Sequence, residues 1–159
     1  MGRIRRFLLR HGPEDRALLL EALAEVARFR VALSIRPFTR VLEAAERPRK
    51  APRARSARPP GPAEPPIPLD RIDWAVAAAS RVVPGARCLA RALAGKAMLE
   101  RRGLRAELRI GVGRAEKGGG VEAHAWLEHG RGRILGSAPP PGYVLLDSFA
   151  EVRNVRERA

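Results

Sequence analysis

One cysteine and one histidine set the chemical question. Cys88, the only cysteine of the chain, lies in VPGARCLARALAGKAMLERRG (Val83 to Gly103). It follows a Pro84-Gly85 turn signal and stands where an Ala- and Leu-rich helical pattern begins. A helix start presents unpaired backbone N–H groups and the positive end of the helix dipole, which favour thiolate over thiol. The same N–H groups can hold the oxyanion of an acyl transition state. Nucleophilic acyl transfer is therefore one reading of Cys88. Packing is the other, because a free cysteine behaves as a small apolar residue and an Ala/Leu helix gives it a core to fill.

The second group is His124, in AHAWLE (Ala123 to Glu128). Strand alternation sets His124, Trp126 and Glu128 on one face and Ala123, Ala125 and Leu127 on the other. Two flanking alanines leave space around an imidazole held on a rigid strand, which suits a general base; an ordinary sheet histidine fits the same position. His11 and His129 fall in turns and have no such setting. Trp126 either walls a cleft beside the pair or anchors the sheet on the helices, the latter being the simpler role. Glu128 has many arginines to pair with.

The elements that must position these groups fall into three zones. Residues 1–46 form an N-terminal helical segment. Pro13-Glu14-Asp15 is a first-turn signature, Ala17 to Val31 repeats apolar residues at three- and four-residue spacing, and Pro37 divides a long helix from a shorter one at Phe38–Glu46. The long helix is apolar around much of its circumference, so it packs between other elements, against a partner protein or on a membrane surface. Residues 47–68, RPRKAPRARSARPPGPAEPPIP, hold almost nothing to bury and read as a Pro/Arg-rich linker. Residues 69–159 form the working domain. It opens with a helix capped by Asp70 and running to about Val83, then one from about Arg87 to Arg101 closed by Gly103. From Ala106 the period changes to two, and strands follow at Ala106–Val112, Val121–Glu128, Arg131–Leu135 and Tyr143–Leu146. Helices followed by an antiparallel sheet give an α+β fold.

Composition removes several classes. A single cysteine excludes an internal disulfide framework and a multi-cysteine zinc cluster, and it fits a reducing, cytoplasmic setting. Aromatic residues are only 4% of the 159, so Leu, Val and Ala must fill the core. The formal net charge of +14 attracts anionic partners of any kind, but the arginines are spread through every zone. With no zinc-finger spacing, RRM-type motif or basic region with heptads, specific nucleic-acid binding is not expected. The run Phe7–Leu9 is too short for a signal peptide, and no stretch approaches the roughly 18 apolar residues of a membrane span.

Taken in order, PGARCLARALAGKAMLERRGLRAELRIGVG and VEAHAWLEHGRGRIL resemble the transglutaminase-like branch of the papain-type cysteine hydrolases. Within that branch they closely resemble the leader-cleaving B proteins of lasso-peptide biosynthesis, well over residues 69–149 and loosely over the N-terminal zone. The resemblance implies a transglutaminase-like core in which Cys88 attacks the scissile carbonyl of a precursor peptide and His124 acts as general base and then acid. It implies no cofactor and no metal. It also implies two partners: a separate leader-recognition protein that delivers the precursor, and an ATP-dependent cyclase that closes the ring on the released core. The family pattern expects an acidic residue near GRILGS to orient the imidazole, where this chain has Gly136 and Ser137. Asp147 is the nearest downstream candidate; otherwise the pair works as a dyad. A basic partner- or membrane-binding scaffold of the same fold, or an acyl transferase or amidase using the same pair, are the alternatives.

Overall fold

A computed structural model describes residues 12–46, 67–115, 120–129, 132–136 and 141–146. Among these residues four helices precede a four-stranded antiparallel sheet, the α+β arrangement expected from the change of period.

Helix α1 is Pro13–Ile35 and helix α2 is Phe38–Glu46. Pro13 stands at the first turn with Glu14 and Asp15 behind it, so a fixed φ and two negative charges meet the positive helix end. The helix stops because Arg36, which precedes Pro37, is held extended at φ −124°, ψ 150°. Helix α3 is Leu69–Val82. Its N-cap is Pro68, not Asp70. Asp70 lies inside the first turn, where it accepts a bond from the Arg71 N–H at 3.0 Å and its charge still faces the positive end. Gly85, at φ +70°, turns the chain into helix α4, Cys88–Arg101, and Gly103 at φ +73° closes that helix.

Strands β1 (Glu107–Arg114), β2 (Val121–His129), β3 (Gly132–Leu135) and β4 (Val144–Leu145) lie in the order β3-β2-β1-β4. The β1–β2 register pairs Ile110 with Ala125 and Gly111 with His124. Since neighbours across an antiparallel pair share a face, Leu108, Ile110, Val112, Ala123, Ala125 and Leu127 form one side of the sheet. That side faces the helices. Leu127 and Leu135 close on α4 at Gly95, where an added Cβ would fall 2.4 Å from Leu135 Cδ1 and 3.1 Å from Leu127 Cδ1. Glycine inside a helix costs about 1 kcal/mol relative to alanine; here it lets the sheet approach.

The sequence left open what the apolar α1 packs on. In the structure Leu19, Ala22 and Val26 join Ile72 and Val76 of α3 and Leu93 and Met98 of α4 in one core, all at most 1% exposed. Leu, Ile and Met side chains contribute about 1.5–3 kcal/mol each on full burial, so this contact holds α1 to the rest. Carboxylates of Glu21 and Glu25 also bond Arg101 and Arg102 across it. Lys96 runs its stem through the core and ends on the Ala106 carbonyl at 3.0 Å, with Glu100 at 3.2 Å. Truncating Leu127 to alanine, at 0% exposure, should cost about 2–5 kcal/mol. Urea unfolding measures this, and a loss under about 1 kcal/mol would mean the sheet is not tightly seated on α4. Among the described residues, no helix is long and apolar enough to cross a membrane.

Candidate active site

Cys88 is the first residue of α4. Arg87, the N-cap, is extended at φ −94°, ψ 178°, and makes no side-chain capping bond. The first intrahelical bond runs from the Arg91 N–H to the Arg87 carbonyl at 3.2 Å. The N–H groups of Cys88, Leu89 and Ala90 precede it and have no partner within the helix. The Cys88 thiol at this helix start is half-buried, and its Sγ donates to the carbonyl of Ala123 at 3.9 Å. A thiol is a weak donor, so this contact locates the sulfur more than it stabilises the fold.

Among the described residues, the carbonyl that receives the thiol has no strand paired with it. Leu146 N–H donates to the Ile110 carbonyl at 2.8 Å, so the peptide groups of Ile110 and Val112 point towards β4 and those of Gly111 towards β2. Gly111 is paired with His124, whose peptide groups therefore face β1, and those of Ala123 face the opposite side. On that side β3 reaches only Leu127 to His129. Beyond the end of β3, the start of α4 meets the edge one residue before the histidine.

His124 is half-buried and projects from the sheet face opposite the helices, its ring stacked on Trp126 with centroids 6.0 Å apart and planes at 21°. Trp126 is 4% exposed. It does not anchor the sheet on the helices, because Ala125 and Leu127 occupy that face. Trp126 lies instead over Gly111, where an added Cβ would come 3.2 Å from its ring. Its Nε1–H donates to Glu128 Oε1 at 2.8 Å, and Arg109 Nε donates to Glu128 Oε2 at 3.0 Å. Glu128 thus has the arginine partner the composition promised, and it reaches the histidine through the indole. This series was not evident from the sequence, although His124, Trp126 and Glu128 were on one face of the strand pattern.

Asp147 lies outside the described residues. The position where the family pattern expects a carboxylate is Gly136, at φ +95°, with an added Cβ 3.2 Å from Trp126 Cβ. The positive φ and the close approach of Trp126 Cβ and the β2 backbone both oppose a side chain there. Gly136→Asp should lower stability by about 1–3 kcal/mol without raising activity. A thermal melt with a parallel activity assay checks this, and a faster enzyme of unchanged stability would show room for an orienting acid. Among the described residues, no group of three or more His, Cys, Asp or Glu side chains could hold a metal ion.

An open groove of about 960 Å³ begins beside the thiol, at Arg87, Leu89 and Ala123. It runs between the sheet's helix-facing side, at Ile110, Val112 and Val121, and the junction of α1 and α2 around Pro37.

A thiol at an uncapped helix start, set against the strand of a half-buried histidine, supplies the two groups that thiol-based acyl transfer uses. The chain belongs to the transglutaminase-like superfamily: the model of that family matches residues 19–148, from within α1 to beyond the last described strand. Members of this superfamily are in general cysteine-based catalysts. No curated protein and no solved structure matches the chain.

Proposed function

We propose that the protein is a cysteine peptidase that removes the leader from a ribosomally made lasso-peptide precursor. The observation that carries the reading is the contact of Cys88 Sγ with the carbonyl preceding His124, which puts the thiol and the imidazole's strand in one place. Family membership supports cysteine-based hydrolase or transferase chemistry. The leader-peptidase assignment is supported by the resemblance of the Cys88 and His124 segments, and so is a papain-type core.

In this reading His124 takes the proton of Cys88, and the thiolate attacks the scissile carbonyl carbon. The resulting oxyanion is held by the free N–H groups at the start of α4. His124 returns the proton to the leaving amine as the C–N bond breaks, which releases the core peptide and leaves the leader as a thioester on Cys88. Water, deprotonated by His124, then cleaves the thioester and restores the thiol. Trp126, fixed by Glu128, limits the rotation of the imidazole, and Asp147 is the residue proposed to orient it further. The enzyme works in the cytoplasm, with a separate leader-recognition protein presenting the precursor and an ATP-dependent cyclase consuming the released core.

Incubation with a precursor and its leader-recognition protein should yield two fragments whose masses sum to the precursor plus one water. Intact precursor would contradict the reading. A product joined to an added amine, with no water gained, would make the protein an acyl transferase.

A further inference from the structure

We propose that the groove beside Cys88 is the seat of an acidic, apolar segment of the peptide substrate. The inference rests on the peptidase reading only in taking the occupant to be the substrate's own chain. At about 960 Å³ the groove is at the upper end of the roughly 300–1,000 Å³ usual for ligand clefts, enough for several side chains.

The walls are apolar where they are built from the sheet and from Leu33, Phe38 and Leu89. Among the described residues, the charged side chains on them are Arg30, Arg36 and Arg87, and no Asp or Glu lines the groove. None of the three pairs with a carboxylate among the described residues. Several arginines away from the groove are neutralised, Arg28 by Glu25, Arg71 by Asp15, Arg102 by Glu21 and Arg109 by Glu128. Arg30 is fixed without an acid, its Nε donating to the Pro84 carbonyl at 3.2 Å and its Nη1 bonding Ser34. It thereby holds a guanidinium over the turn that leads into Cys88. Arg36 and Arg87 are exposed at the α1 C-cap and the α4 N-cap.

Three positive charges along an apolar trough that reaches both sequence neighbours of Cys88 complement a chain bearing both aliphatic side chains and carboxylates. A basic peptide would meet uncompensated repulsion at all three points. A neutral apolar peptide would fill the trough and leave the guanidinium charges unanswered.

The test uses a fluorescein-labelled peptide of alternating Leu-Glu and Val-Glu units, its Lys counterpart and full-length Cys88→Ala protein, with fluorescence anisotropy as the readout. No turnover is needed, so a failure to cleave precursor does not affect the result. The acidic peptide should bind and the basic one should not. Adding Arg36→Glu and Arg87→Glu together should weaken binding by about ten-fold or more. Arg105→Glu, past the C-terminal end of α4, changes the net charge in the same sense and should leave affinity within about two-fold. On wild-type protein the acidic peptide should also slow alkylation of Cys88. Equal affinity for the two peptides, or equal losses in the groove and Arg105 variants, would overturn the proposal and reduce the binding to the general attraction of a basic protein.

Discussion

Cys88→Ala should abolish precursor cleavage, with a fall in rate of about 10⁴-fold or more, and should leave the fold intact. The first half follows from the mechanism: with the sulfur gone, no other group at the start of α4 can form the acyl intermediate. The second half follows from the position. Cys88 is half-buried at the helix's first residue, alanine is a good helix former, and only a weak thiol contact to the Ala123 carbonyl is lost. A stability change below about 1 kcal/mol is expected. Product masses and a thermal melt of the same preparation check both halves. Residual cleavage near the wild-type rate would remove Cys88 from the chemistry, and a large loss of stability would return it to the packing role that its residue type also fits.

His124→Ala should have the next largest effect, a loss of about 10³-fold or more in kcat/KM. The imidazole is asked to take a proton from the thiol and deliver it to a poor leaving group, an amine, so both halves of acylation suffer. His124→Ala removes the ring stacked on Trp126, and Trp126 remains held by Glu128 and packed at Gly111. The sheet should therefore survive, as circular dichroism would show. Steady-state rates across pH separate this role from a structural one. A variant that lost activity only through unfolding would show the loss in the melt as well, and a variant that kept wild-type activity would leave Cys88 without its base.

Much of the scaffold was legible because local signals agreed. Pro13 with two acids, Pro37, Pro84-Gly85 and Gly103 punctuate helices whose apolar spacing is regular, and the change to alternation at Ala106 announces the sheet. The Asp70 cap was misplaced by two residues, because helix entry at Pro68 is set by a fixed φ and not by a side-chain oxygen. The placement of Cys88 at a helix start and of His124 with Trp126 and Glu128 also followed from local pattern.

The rest depended on long-range pairing. Among the described residues the Ala123 carbonyl is left to the thiol because β3 pairs only with Leu127 to His129, which no periodicity in β2 reveals. The role of Trp126 turned on which sheet face the helices cover, and that is decided at Gly95, two elements away in sequence. Glu128 lies two pleats from His124 along the strand, and the indole between them spans the gap, a link that strand alternation alone does not show. The groove needs α1, the turn at Gly85 and the sheet together, so its arginines look like any others in a chain with a net charge of +14.

The most direct test of the central claim is the rate of Cys88 alkylation by iodoacetamide as a function of pH, measured on the wild type and on His124→Ala. If Cys88 and His124 share a proton, the wild type should react faster than the variant at and below neutral pH, by about ten-fold, and the two profiles should converge in alkali. Coincident profiles, with Cys88 reacting only in alkali in both proteins, would contradict the catalytic pair and leave the thiol as a packing residue of a binding protein.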